Sequence, residues 1–429
     1  MAENIVKTTD MVWVLNPKEA MLGPVADKGT IIANTSPGCW GAMITPDFPS
    51  GHEVTRPIAV VGAEIGDSVA LRIKKVKVLS TATVSGTDQG VEGQFVGDPF
   101  VAARCQVCDS INPQTYLEGT GENCVRCKKC GNPVTPFHLS SGYTMVFDKD
   151  RTTAITVGSE ACKSIADNAF ELAALPVESK QYPINLWAKA DLPGIITRVR
   201  PMIGNIGSCP AVPFPSSHNA GDFGSFLVGA PHEFALTSEQ LLSRTDGHMD
   251  SDEVREGAIL IVPVKVAGAG IYVGDIHAMM GDGEIAGHTS DVSAEVTLEV
   301  EVIKGLKLDG PILLPNKEDL PFLAQPYDAK LIAVARKLAS EYQTKLEEEV
   351  YPLQVFGSGC SLDAAVINGL SRMSELLDMP IEEVKNRATI VGSIMISRLP
   401  GMAQVTAMVP KSKLKALGIV HLFEEQYGN

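Results

Sequence analysis

The sequence predicts an α+β chain, predominantly β, with a cysteine-rich insert and a helical C-terminal region. Three observations carry this. Strand periodicity dominates up to about Ile303, and helical periodicity replaces it after the Pro-rich stretch Asp309–Pro326. Strands first and helices last lack the alternation of a doubly wound sheet. Gly 39 and Pro 27 against only 13 Phe and 8 Tyr suit many turns between short strands.

The chain of 429 residues divides on these signals into 1–103, an N-terminal β region; 104–137, the insert; 138–325, a second β-rich region; and 326–429, helical α/β. Val69, Leu71 and Ile73 alternate with Ala70 and Arg72, and the phase slips at Lys74-Lys75 before Val76 and Val78, which predicts a half-buried strand with a bulge. Ala294, Val296, Leu298, Val300 and Val302 alternate with Glu295, Thr297, Glu299 and Glu301, which predicts a strand whose acids face water. Leu331, Val334, Ala335, Leu338 and Tyr342 share one helical face. A second helix carries Leu362, Ala365, Val366, Leu370, Met373 and Leu377 behind the N-cap Ser361. Pro380, with Glu382 and Glu383 in the first turn, opens a third.

Lys+Arg 36 against Asp+Glu 51 gives a net charge of −15, which argues against nucleic acid as a partner. No window approaches 18 uninterrupted apolar residues, and the first residues carry no basic segment followed by an apolar run. The expectation is a cytoplasmic protein without a membrane span. Five of the 9 Cys crowd between Cys105 and Cys130, which in a reducing compartment points to metal before disulfides. Cys105-x₂-Cys108 and Cys127-x₂-Cys130-Gly131 have the spacing of a four-thiolate zinc site, a zinc-ribbon-like module whose metal is structural. Cys124 competes for a place, because Cys124-x₂-Cys127 is also a valid pair. Cys39, Cys162, Cys209 and Cys360 are scattered and read as buried, inert thiols.

The densest polar constellation runs from Gly274 to Gly287, Gly-Asp-Ile-His-Ala-Met-Met-Gly-Asp-Gly-Glu-Ile-Ala-Gly, with Asp291 following. Asp275 and His277 are two apart at the end of an apolar run, so a strand points both to one face. The Gly-rich turn after them can return Glu284 beside the pair. Imidazole plus carboxylates is the ligand set of a catalytic zinc, or of calcium or magnesium where oxygen dominates. Upstream, Pro201–Gly207 reads as a tight Gly-rich loop with exposed N–H groups, followed by His218-Asn219-Ala220-Gly221-Asp222, where His218 and Asp222 form a proton-transfer or ligand pair.

These runs together (RPMIGNIG, HNAGDFG and GDIHAMMGDGEIAG) resemble the acetamidase/formamidase family. Pro57–Asp67 looks like the family's early strand–turn, and Ser361 to about Pro410 like its closing helical region; the insert is not part of the family core. The resemblance implies a β-sandwich-like fold, a homo-oligomer (dimer or higher) and hydrolysis of the C–N bond of small amides, linear or cyclic. It makes Asp275, His277, Glu284, His218 and Asp222 the catalytic candidates, with Asp275, His277, Glu284 and Asp291 as metal ligands. Many members carry Glu where this chain has Asp291, a shorter arm. The alternative is a non-catalytic, zinc-stabilised binding or assembly protein on the same fold.

Overall fold

The computed structural model describes residues 2–38, 52–98, 101–119, 121–183, 188–217, 227–230, 232 and 235–428. Its centre is the strand Ala294–Ile303, paired antiparallel with Leu22–Thr35 on one side and Ser68–Val78 on the other. Ala294, Val296, Leu298 and Val300 are buried, and the intervening Glu295, Thr297 and Glu299 are half-buried, so the period of two survives intact. Thr297 pairs with Lys75 while Leu298 pairs with Ile73, which leaves Lys74 as the extra residue of the expected bulge. Beyond Ser68–Val78 the same sheet continues through Ile259–Pro263, Ile312–Leu314, Val350–Ser358, Met402–Pro410 and Gly392–Arg398. The C-terminal region therefore adds strands to the main sheet as well as helices.

Two hydrophobic cores lie against this sheet. One gathers Ile31, Leu71, Val296, Leu298, Ile203 and Ile276 beneath the strand Ile271–His277. The other packs Ile261, Leu314 and Leu353 against the helix Leu362–Leu377 through Leu370, Met373 and Leu377. Ser361 caps that helix by accepting from the Ala364 amide at 3.2 Å, and Pro380 precedes the helix Ile381–Ile390 with Glu382 and Glu383 in its first turn. The fold is predominantly β with a helical C-terminal region, as the sequence predicts. Two further helices, Ser159–Asp167 and Ala169–Ala173, interrupt the second β region.

The helix Ala329–Glu341 forms as expected, with the Asp328 carboxylate accepting from the Leu331 amide at 2.7 Å. Its apolar stripe finds no core. Leu331, Val334 and Leu338 are about half exposed, and Tyr342 more so.

Removing a buried strand residue should cost far more than removing its solvent-facing neighbour. Leu298→Ala is expected to lower unfolding stability by about 2–5 kcal/mol, whereas Glu295→Ala, which breaks only the exposed 3.3 Å pair to Lys75, should cost about 1 kcal/mol or less. Denaturant titration measures both, and equal midpoints would contradict the strand assignment.

Candidate active site

Asp275 and His277 lie at the end of the strand Ile271–His277, every residue of which is buried. Antiparallel pairing places Asp291 directly across from His277. On its other edge the strand pairs with Met202–Ser208, and the segment Asp246–Asp250 docks on that neighbour through amides of Met249 and Asp250, which both donate to the Gly204 carbonyl. His248 and Asp250 thereby reach the same spot. His52 arrives from just before Val54–Thr55, whose Val54 pairs with Gly274. The expected tight turn then returns Glu284, and the strand Gly392–Arg398 delivers Arg398 beside it through a bridge to Gly283.

The side chains converge closely. His277 Nε2 lies 3.3 Å from Asp275 Oδ1 and 3.5 Å from Asp250 Oδ1. His248 Nε2 is 3.0 Å from Asp250 Oδ2 and 3.4 Å from Asp275 Oδ2, and His52 Nδ1 is 3.3 Å from Asp275 Oδ2. The other nitrogen of His277, Nδ1, faces Asp291 at 3.5 Å and Glu284 at 3.9 Å. The Arg398 guanidinium contacts Glu284 and lies 3.1 Å from Asp250. Three of these acids hold left-handed backbone, with φ of 57° at Asp275, 43° at Asp250 and 43° at Glu284. Side chains other than glycine adopt that region at a cost, and such strain concentrates at functional sites.

Eight buried atoms here lack a hydrogen-bond partner: both nitrogens of His248 and of His277, Nδ1 of His52, both Asp275 oxygens and one oxygen of Asp250. Burying so many unsatisfied groups is costly unless something charged completes them. Two triads have ligand atoms within 4.8 Å of one another, His52/His248/Asp275 and Asp250/Asp275/His277, and they share Asp275. The space between them is kept by Gly204, where a Cβ would sit 2.3 Å from Asp250 Oδ1, 2.6 Å from Asp275 Oδ2 and 2.7 Å from His277 Nε2. A divalent cation fits this donor set of imidazoles and carboxylates.

Burial pushes the His52 imidazole down to about 3, against the pull of Asp275. For His248 burial acts the same way, but Asp250 overrides it and raises the ring to about 9; His277 is likewise raised above its ordinary value by Asp275 and Asp250. Asp275 and Asp250 are held low, despite burial, by the surrounding imidazoles and Arg398. Burial and the charge of Asp250 lift Glu284 to about 8. Protons on His248 and His277 thus balance the acids when no metal does so.

The structure brings Asp275, His277, Glu284 and Asp291 close together. His218 and Asp222 lie outside the described residues, as does Gly221. Pro201–Gly207 is not the expected loop: Met202–Ser208 is a buried strand in which Ile203 and Ile206 donate their amides to Val254 and Gly247. Its glycines serve close approach of neighbouring groups rather than an open nest. His52, His248, Asp250 and Arg398 were missed. A signal existed for two of them, since Asp246-Gly247-His248-Met249-Asp250 repeats the two-residue spacing of Asp275 and His277. Cys162 and Cys209 are buried, and burial lifts the Cys209 thiol to about 12, as fits an inert thiol. Cys360 is exposed, contrary to expectation, because it precedes the solvent-facing start of the helix Leu362–Leu377; Cys39 lies outside the described residues.

The model of the acetamidase/formamidase family matches residues 26–244 and 237–412. Among solved structures, a predicted acetamidase/formamidase from Thermoanaerobacter tengcongensis is 19% identical and superposes with a TM-score of 0.55, covering 97% of this chain and 98% of that one. An acetamidase from Bacillus halodurans is 18% identical with a TM-score of 0.53, covering 98% and 99%. One from Yersinia enterocolitica is 14% identical with a TM-score of 0.54, covering 96% and 93%. No curated protein matches the sequence.

Gly204→Ala should abolish cation uptake at this cluster while leaving circular dichroism unchanged, because the added methyl occupies the space between the side chains; metal content equal to that of the unmutated protein by elemental analysis would contradict it. A cation must also displace protons from His248 and His277, so its affinity should rise as pH increases toward about 9 and be lost in acid. Calorimetry in buffers of different ionisation enthalpy should record proton release, and none would refute the ligand assignment.

Proposed function

The chain belongs to the acetamidase/formamidase family, and from that premise we propose that it hydrolyses the C–N bond of a small amide to a carboxylate and ammonia with the help of a divalent cation. The observation that carries this reading is the convergence of His52, His248, Asp250, Asp275 and His277 around the space opened by Gly204. Zinc suits three imidazoles best, with calcium or magnesium favoured only if oxygens dominate.

When bound, such a cation supplies Lewis-acid polarisation of the amide carbonyl and acidifies a water molecule. The chain supplies the rest. Asp291 faces His277 Nδ1 and orients the ring so that Nε2 is presented to Asp250 and Asp275. In this reading Asp291 acts on the ligand rather than as one. Glu284, raised to about 8, exchanges protons near neutral pH, as a group that serves first as base and then as acid toward the leaving amine must. Arg398 holds Glu284 and Asp250 in one geometry. His218 and Asp222 share in the proton transfers.

The substrate is a compact linear amide, with a cyclic amide as its variant. The reading places the protein in a reducing cytoplasm, consistent with the free thiols; no helix among the described residues is long and apolar enough to cross a membrane. It also makes the chain a homo-oligomer, supported by the exposed stripe Leu331, Val334 and Leu338.

His277→Ala should lose both bound cation and ammonia release. Glu284→Gln should keep the cation and lose about 10²–10⁴-fold in kcat, the usual worth of a positioned acid–base group. Ammonia assays on formamide, acetamide, propionamide and lactams, paired with elemental analysis, distinguish these outcomes; unchanged turnover in either variant would overturn the proposal.

A further inference from the structure

A second group of metal-ligating side chains lies in the insert, away from the amide site. Cys105, Cys108, Cys127 and Cys130 place their sulfurs within 4.8 Å of one another. Cys105 Sγ is 3.3 Å from Cys130 Sγ, and Cys108 Sγ is 3.7 Å from Cys127 Sγ. A disulfide needs about 2.05 Å, so neither pair is bonded. Tetrahedral ligation at about 2.3 Å from metal to sulfur requires sulfurs roughly 3.8 Å apart, close to what is found.

The backbone around the four sulfurs is built twice over. In each half the first cysteine's carbonyl accepts from the residue after the second, Asp109 to Cys105 and Gly131 to Cys127, both at 2.8 Å. Those two residues hold left-handed backbone, with φ of 55° and 76°. Both halves therefore make the same tight turn, for which Gly131 is the permissive residue. Main-chain amides then point at sulfur: Val107 and Cys108 toward Cys105, Ser110 toward Cys108, and Asn132 toward Cys130, whose Sγ also receives the Asn132 side-chain amide at 3.5 Å. Four sulfurs gathered at near-tetrahedral spacing, with N–H donors aimed at three of them, form the arrangement of ligands around a metal. Cys124 is buried among Val125, Val134 and Phe137 and is outside the ligand group, which settles the choice between the two CxxC pairs.

We infer that residues 105–130 bind one zinc ion through the thiolates of Cys105, Cys108, Cys127 and Cys130, a structural site independent of the amide site. Soft sulfur ligands in a closed tetrahedron select zinc over harder ions. The ion holds together a module whose own core is confined to a few side chains, too little apolar surface to fold unaided. It sits at the far end of the strand Phe137–Phe147. Phe137 packs in the module, whereas Met145 Sδ lies 3.7 Å from Ser290 Oγ, beside Asp291. Eight residues of extended chain between them span roughly 26 Å, so emptying one site leaves the other intact.

The test loads the whole protein with Co²⁺ in place of its native metal. Sulfur-to-cobalt charge-transfer bands with tetrahedral d–d bands are expected, and a mercurial that titrates thiols should release the ion. Cys105→Ser/Cys108→Ser should lose one zinc per chain and those bands, while the metal content dependent on His277 remains. Cobalt spectra without sulfur bands, a mass lower by the hydrogens of two disulfides, or iron in place of zinc would each overturn the assignment. The spectra of the unmutated protein decide the matter even if the double variant fails to fold, and a silent amide site would leave them unaffected.

Discussion

Carboxylates do not go into a protein interior without positive charge to meet them. Asp250, Asp275, Glu284 and Asp291 are all buried around one point, and among the described residues the permanent cation that touches them is Arg398. Acids in excess of that one charge cannot be absorbed by neutral packing. Imidazoles fill the gap: His248 and His277 are raised by these acids and carry protons, while the buried His52 ring stays neutral beside Asp275. Glu53, next to His52, makes the contrast: its carboxylate is also buried, yet Ser36, Ser179 and the Lys180 amide satisfy it with hydrogen bonds of 2.6–2.7 Å. One buried acid is solved by hydrogen-bond donors, and its neighbours are met by imidazoles and Arg398.

The rest of the architecture follows from bringing those groups together. Strand pairing aligns Asp291 with His277, and the docking of the 246–250 segment on the Met202–Ser208 strand adds His248 and Asp250. Left-handed backbone at Asp250, Asp275 and Glu284 aims the carboxylates inward at a conformational cost that the surrounding sheet sustains. Gly204 leaves the void. The C-terminal strand contributes Arg398, so the region that looks like an appended helical layer completes the site.

Legibility in the sequence tracked the range of the interaction. The strand Ala294–Ile303, the bulge at Lys74 and the Ser361 cap are local, and period or propensity discloses them. Asp275, His277, Glu284 and Asp291 lie within one short run, so their meeting was readable as well. His52 and Arg398 come from chain segments hundreds of residues apart, and only the long-range order of the sheet joins them. The run from Pro201 misled for a physical reason: glycine marks flexible loops and crowded strands alike, and here a Cβ at position 204 would strike ligand atoms. The stripe on Ala329–Glu341 was legible as a stripe, but periodicity does not say what covers it.

Anomalous diffraction at the zinc absorption edge, recorded on crystals of the protein grown with zinc, measures the central claim directly. A peak within about 2.0–2.2 Å of an Asp275 oxygen and a neighbouring imidazole nitrogen is the expected result. Clear density for these side chains with anomalous signal confined to the cysteine module would contradict it.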